Sequence, residues 1–579
     1  MKNFFFLIFI STNLFAHAQT TFYGATKITV PNGTASINLK TTTMYRIFAR
    51  DEVDGDISHK ITIDGGNWTA TVPSTVTYRI TNSKGQETTR QVSISASGNN
   101  AVVERTLYTL SRTALQAIQS GGMMRGDNHD RQHLGVFMPA GATLRVRRVS
   151  TGATSNWNVK VAQGRSGKDL DLNLSGSGTS SSWQTVSASS GTSERGGIPM
   201  IRTPRTEEVS SQGGTVIEVE ISGNVTDLNY FHYGDNTMDF LTRWTNASHY
   251  ALLGNSVANI MVSRADVTNG RFTAGEFSMN INKLLEMYDS VCMLFNRMIG
   301  LDINAADPKD KLVHTKYWVV PYRGGAGLAF YGGDYCGYSS GDEFGEAADY
   351  LRRSWVVFHE IGHGYEGWIR GKEISMVEIK NNILSTYFQL TFLDFKNDAS
   401  RRTSWIFEGN NNTPAIVDNR VVNRRHKGLA GFNDGDHFRD KLYFMMTLTN
   451  ATGTAANAEK ALAEINYLNR RHRGWTLADL WTKGLHNTSK INAIPFMESY
   501  GFTVSEMTKA QAFEDGSRIA QPFRDLTDAN ITSHLFPANG RLLWGSLSLV
   551  KPSDFDLGNG TATITINIDS LDLIKGRNI

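Results

Sequence analysis

The chain has 579 residues, with 58 Lys and Arg against 55 Asp and Glu, a formal charge of +3 and no concentrated basic stripe, which argues against nucleic acid as a partner. So long a chain exceeds one hydrophobic core and divides into several domains. Two cysteines are too few for a disulfide scaffold, so Cys292 and Cys336 form either one bridge or two buried thiols.

Residues 1–18 read as a secretory leader. Lys2 gives a positive start, Phe4–Ile10 is an apolar run, and Ala16-His17-Ala18 fits a small-residue cleavage site, so the mature chain is expected to begin at Gln19 and to be exported to the medium, cell surface or periplasm. No later apolar run reaches the eighteen or so residues that span a bilayer, so no transmembrane segment is expected.

Residues 19–97 are rich in Thr, Val and Ile, with period-two stretches such as Thr75–Thr81 and Gly and Asn turns, the chemistry of strands and hairpins. The run Val53-Asp54-Gly55-Asp56-Ile57-Ser58, with Val76–Thr81 and the turn Asn82-Ser83-Lys84-Gly85, resembles bacterial Ig-like modules. Asp51, Asp54 and Asp56 give such a module either a calcium site or a solvated acidic turn. The module reads as a spacer or weak binder.

Residues 98–254 read as a second β-sandwich region. A short helical pattern runs from Ala101 to Ile118, and strands follow at Gly135–Pro139, Ala142–Val149, Asn158–Ala162, Asp169–Leu174 and Thr215–Ser222. Residues 175–196 are dense in Ser, Gly and Thr and read as a long loop, in which Trp183 either stacks on a sugar or anchors the loop to the sheet.

Residues 255–515 are expected to be mainly α-helical. Ile281, Leu284, Leu285, Tyr288, Val291, Leu294, Phe295 and Met298 mark an amphipathic helix ending at Gly300. Lys316–Pro321 reads as a buried strand. Gly324–Gly341, with seven glycines, reads as strand and loop where something approaches closely, and Ala329, Phe330, Tyr331 and Gly332 are the candidate edge strand for an extended peptide substrate. Residues 516–579 return to strands, best at Leu542–Val550 and Thr561–Ile568, as a small β domain.

The chemistry concentrates in Phe344–Arg370, read as one long helix. His359 and His363 are four residues apart, so on a helix both imidazoles share one face, the spacing a single metal ion needs. Glu360 then stands near the open coordination position as a general base. Catalytic zinc takes three protein ligands. A third histidine six residues beyond the second is excluded, because position 369 is Ile. Glu366 lies on the same face a turn away, where it orients a ligand or faces solvent. Glu378, separated from His363 by fourteen residues, can return in the first turn of a helix over Met376–Phe392; Ser375 and Glu378 also fit a capping box, and Glu373 is the reserve candidate.

His359, Glu360, His363 and Glu378, with Asn381-Asn382 behind them, resemble the signature of the M60-like, enhancin-like zinc metallopeptidases, in which HExxH is followed by a spaced Glu. The resemblance spans roughly residues 100–515, including Leu134–Pro139, the helix from Ile281 and Pro495–Phe502. It implies a zincin-type catalytic domain of the gluzincin class holding one zinc ion, with His359, His363 and Glu378 as ligands and Glu360 as base, and mucins or other O-glycosylated proteins as substrates. The alternatives are a secreted glycan-binding adhesin with an inactive or structural zincin domain, and a zinc aminopeptidase acting on small peptides.

Overall fold

Thr21–Val30 lies inside the largest sheet of the molecule, hydrogen-bonded on one side to Ile47–Asp51 and Glu87–Ala96 and on the other to Ala101–Thr106. The computed structural model describes residues 20–111, 127–149, 157–162, 170–174, 182–188, 195–205, 215–244, 248–264, 266, 280–321, 329–338, 354–367, 369, 372–392, 432, 438–514, 518–521, 548–550, 555–558 and 561–564. The leader expected at residues 1–18 lies outside them.

The ten-stranded sheet runs continuously across residues 97 and 98. Its order passes from Gln184–Ser187 through Thr143–Arg148, Val216–Ile221 and Ala101–Thr106 to Thr21–Val30, then to Glu87–Ala96, Ser74–Thr81 and Thr62–Ile63. Ala101–Thr106 is a strand, not the start of a helix. Its residues alternate buried and half-buried, and Val102-Val103 is β-branched, which suits a pleated surface better than a helix. Residues 112–118 of that helical pattern lie outside the described residues. Trp183 takes the anchoring role at the sheet surface: the guanidinium carbons of Arg147 and Arg145 sit 4.6 and 5.1 Å from its ring centre. A four-stranded sheet of Arg131–His133, Ile198–Arg202, Trp157–Ala162 and Leu170–Leu174 accompanies it.

The region read as mainly helical also contains a six-stranded sheet. Its order is Tyr230–His232, Tyr250–Gly254, Ala258–Ser263, Tyr317–Pro321, Cys336–Tyr338 and Ala329–Tyr331, and it too runs across a proposed boundary, at residue 254. Tyr250–Gly254, Ala258–Ser263 and Tyr317–Pro321 are buried at every position, so they lack the alternation that marks a half-exposed strand. Helix α1, Ile281–Met298, packs its apolar stripe into the same core. Asn280 caps it by accepting from the Lys283 amide, and Gly300, at φ +69°, ends it. Helix α2 covers Trp355–His363 and α3 covers Lys380–Phe392. The expected start of the metal helix at Phe344 lies outside the described residues. Cys292 and Cys336 are both buried thiols.

Of the C-terminal region, Arg518–Gln521 and Ser548–Val550 join Ile491–Asn492 in a three-stranded sheet, and Phe555–Gly558 pairs with Thr561–Ile564.

The β regions and the helical region meet over an apolar seam that includes Phe48, Phe137, Met200, Tyr230, Leu252 and Trp318. Buried charges cross the same seam. Asp56 Oδ2 accepts from Lys316 Nζ at 2.7 Å and Asp56 Oδ1 from His232 Nε2 at 3.0 Å, while Arg50 pairs with Asp130 at 3.1 Å. Asp51, Asp54 and Asp56, the carboxylates considered for calcium, are engaged by protein donors. Asp51 accepts from Thr20, Asn82 and the amides of Val53 and Asp54, Asp54 accepts from Ser83, and Asp56 is neutralised by protein cations. The three carboxylates accept from separate protein donors.

Candidate metal centre

The HExxH segment is helical as expected, but α2 stops at His363, with Gly364 as its C-cap. Two glycines fit it to its surroundings. A Cβ at Gly362 would meet Asn381 Cβ at 2.9 Å and Asn381 Cα at 3.0 Å, so only glycine lets α2 approach α3 this closely. A Cβ at Gly364 would collide with the Tyr317 hydroxyl, which donates to the Ile361 carbonyl at 3.0 Å and ties the helix to the buried strand Tyr317–Pro321.

The chain then turns back. Glu378 is not in the first turn of a helix; α3 begins at Lys380. Glu378 sits in the preceding turn at φ +65°, a left-handed conformation that costs a non-glycine residue on the order of 1–3 kcal/mol. That turn brings its carboxylate to the histidines: Oε2 is 2.9 Å from His359 Nε2 and Oε1 is 3.4 Å from His363 Nε2. Among the described residues, His359, Glu360 and His363 also offer ligand atoms that lie within 4.8 Å of one another. Glu360 Oε2 stands 4.0 Å from His363 Nε2, farther than Glu378 does.

The far side of each imidazole is held. His363 Nδ1 donates to Glu366 Oε1 at 2.7 Å, and His359 Nδ1 donates to Asn382 Oδ1 at 3.2 Å, an oxygen that also accepts from Trp355 Nε1 at 2.7 Å. Both rings therefore present Nε2, with its lone pair, to the same point. Asn381 Nδ2 donates to these two lone pairs at 3.2 and 3.0 Å. Behind Glu366, the buried Lys380 ammonium donates to the Glu366 carbonyl at 2.9 Å and to Asn466. Glu366 thus fills the orienting role open to it in the sequence. Glu373 points elsewhere, accepting from the Leu477 amide at 2.6 Å, where it caps the helix Leu477–Ser489.

Glu360 is buried, and its Oε2 has no hydrogen-bond partner among the described residues. Burial pushes its pKa up to about 7, helped by the charges of Glu378 and Glu366 and opposed by His359. For Glu378, burial pushes upward, but the neighbouring His359 and His363 and a hydrogen bond from Asn381 outweigh it and lower the pKa. Two imidazole nitrogens, a carboxylate beside them and one buried orphan carboxylate oxygen are a donor set that fits zinc.

Ala329–Tyr331 is the terminal strand of the six-stranded sheet, antiparallel to Cys336–Tyr338, and the Tyr331 ring lies 6.0 Å from the His363 ring. Phe330 packs on Tyr335, and its ring fills the space over Gly337. Gly332 donates its amide to the Tyr335 carbonyl at 2.8 Å, closing the turn. On the other side of Tyr331 stands a residue that sequence reasoning missed. His129, from the β region, stacks on Tyr331 and donates from Nε2 to the Gly332 carbonyl at 3.0 Å. It also meets the Tyr317 ring edge-on at 5.7 Å. Nothing in the sequence near residue 129 signals this, because its partners lie some two hundred residues away.

The family described as Peptidase M60, enhancin and enhancin-like is matched over residues 230–501. A viral-enhancing factor of Heliothis armigera granulosis virus is 25% identical over 277 residues, 46% of this chain; the match spans 28% of that relative's length. Three solved structures share the fold. A protein from Bacillus anthracis str. Ames has a TM-score of 0.52 at 14% identity, over 74% of this chain and 81% of the other. The catalytic module of the Clostridium perfringens metalloprotease ZmpA has a TM-score of 0.50 at 14% identity, over 71% and 78%. The M60 catalytic domain of Clostridium perfringens ZmpC, in complex with the sialyl T antigen, has a TM-score of 0.50 at 13% identity, over 81% and 89%.

Proposed function

We propose that this chain is an exported zinc metalloendopeptidase of the M60, enhancin-like type, with His359, His363 and Glu378 as the metal ligands of a gluzincin site and Glu360 as general base. The family match supports metallopeptidase activity at the coarse level. The observation that carries the finer reading is the convergence of His359 Nε2, His363 Nε2 and both Glu378 oxygens, with an unpartnered, buried Glu360 oxygen alongside.

When bound, zinc supplies Lewis acidity that polarises the scissile carbonyl and acidifies water. The protein's own groups do the rest. Asn382 and Glu366 hold the two imidazoles in the donating tautomer on the far side, so both Nε2 lone pairs stay available. Glu360 takes the proton of the attacking water and delivers it to the departing amine, a transfer that a carboxylate with a raised pKa performs in both directions. The edge strand Ala329–Gly332 is the proposed rail for an extended peptide, with Tyr331 over the histidines.

The substrate class we infer is mucin-like, O-glycosylated protein. The sialyl T antigen bound to the ZmpC domain supports it by analogy of fold, and the appended β regions suit a large substrate. Incubation of the purified protein with intact and with deglycosylated mucin, with and without a chelator, tests the reading. Chelator-sensitive cleavage confined to the glycosylated form is expected. Glu360→Gln is expected to lower turnover about 10²–10⁴-fold while zinc content stays at one per chain. Undiminished turnover in that variant overturns the mechanism.

A further inference from the structure

Where the first strand, the upstream β region and the family-matched region meet, a cavity of about 20 Å³ is lined by Tyr23, Phe48, Arg105, His133, Tyr230 and Lys316, among others. That is room enough for a small guest.

Three of the lining cations have carboxylate partners: Arg50 with Asp130 at 3.1 Å, Arg131 with Asp334 at 3.0 Å and Lys316 with Asp56 at 2.7 Å. Arg105 is different. It is 2% exposed, no carboxylate oxygen lies within 4.0 Å of it among the described residues, and its one hydrogen bond runs from Nη1 to the Met44 carbonyl at 2.9 Å. Gly135, at φ +84°, makes way for it, since a Cβ there would meet Arg105 Nη1 at 2.9 Å. Asp227 acts on Arg105 from farther off, and its own oxygens accept from the amides of Thr43 and Met44.

His133, 8% exposed, has no hydrogen bond on either ring nitrogen among the described residues, and its Nδ1 is fully buried. Burial, reinforced by Arg105 and Lys316, holds its pKa well below the usual histidine value, so it is neutral and offers one N–H. The Tyr23 hydroxyl is spent on Asp56 at 3.2 Å. A guanidinium with donors to spare and an imidazole with no partner among the described residues therefore line a space for a small guest, and a buried charge without a directly paired counter-charge is costly to fold around.

We propose that this cavity binds one small monovalent anion, chloride in physiological salt, between Arg105 and His133. Because Tyr23, Arg105 and Lys316 come from three successive parts of the chain, the ion is a joint between them, and its effect falls on stability rather than on the metal centre.

Thermal unfolding of the full chain in sodium chloride and in sodium gluconate at equal ionic strength is the first test. A saturable rise of about 2 °C or more in chloride alone is expected. Arg105→Gln is expected to abolish the difference. Should that variant fail to fold, His133→Phe keeps the ring between Phe48 and Tyr230 and is expected to raise the half-saturating chloride concentration about tenfold. Crystals of the wild-type protein grown in bromide are expected to show one anomalous peak in the cavity. Superimposed melting curves in the two salts, together with a cavity that holds only water, overturn the proposal.

Discussion

The imidazole of His129 lies face to face with the ring of Tyr331, centroids 5.0 Å apart and planes 17° apart, and Tyr331 in turn faces His363. A residue of the β region, outside the family-matched segment, thus holds the strand beside the candidate metal centre. His129→Ala is expected to lower kcat/KM for a peptide substrate about tenfold, mainly through KM, with zinc content unchanged. His129→Phe keeps the stack, loses the bond to the Gly332 carbonyl and should fall between the two. Steady-state kinetics with metal analysis on the same preparations checks both.

The left-handed turn at Glu378 separates its proposed ligand role from its conformational cost. Glu378→Ala and Glu378→Gly are both expected to lose the metal. In the presence of chelator, however, Glu378→Gly should be the more stable by about 1 kcal/mol, because glycine adopts φ +65° without strain. Denaturant unfolding of the two variants side by side measures this difference.

Gly362 is where α2 and α3 touch. Gly362→Ala places a methyl group about 3 Å from Asn381 atoms and pushes the helices apart, which is expected to cost about 1–3 kcal/mol. Since Asn381 and Glu378 reach the histidines from the α3 side, zinc affinity should drop in the same variant. Calorimetric unfolding and zinc titration read the two effects separately.

Asp56 predicts an acid limb of stability. Burial pushes its pKa upward, but Lys316 and then His232 outweigh burial and hold it well below its ordinary value of 3.8. The folded-state pKa is depressed, so the pairing stabilises the protein above pH 3.8 and its contribution disappears as the pH falls from there through the folded value. At pH 7, Asp56→Asn should cost about 3–5 kcal/mol by leaving Lys316 buried and unpaired. The gap between variant and wild type should narrow below pH 3.8. Urea unfolding between pH 2 and pH 7 tests both the size and the slope.

Sequence reading reached the features that are local. His359 and His363 are one helical turn apart, and that spacing carries their common face whatever surrounds them. The run from Ile281 shows its buried stripe directly. Glu378 was identifiable by spacing, but its conformation was not: residue types around 376–380 favour a helix start, and tertiary packing against α2 imposes a left-handed turn instead. Ala329–Tyr331 stood out through its glycine-rich setting, whereas His129, its support, gave no signal. The acidic run at 51–56 was misleading for the same reason. An acidic turn looks alike in sequence whether it meets calcium, water or, as here, a lysine 260 residues further on. Strands buried on both faces, such as Ala258–Ser263, carry no period by which a sheet within a helix-rich region can be recognised.

The distance in sequence between Asp56 and its partners also sets an order of events during synthesis. The strands of the first sheet up to Ala101–Thr106 can pair as soon as residue 106 has emerged, yet Asp56 waits 176 residues for His232 and 260 for Lys316. Until then the face destined for the seam, with Tyr23, Phe48 and Asp56 on it, stays open to solvent and to chaperones. A nascent or truncated chain that ends before Lys316 carries a buried Asp56 without its lysine, a built-in mark of incompleteness that the finished protein erases.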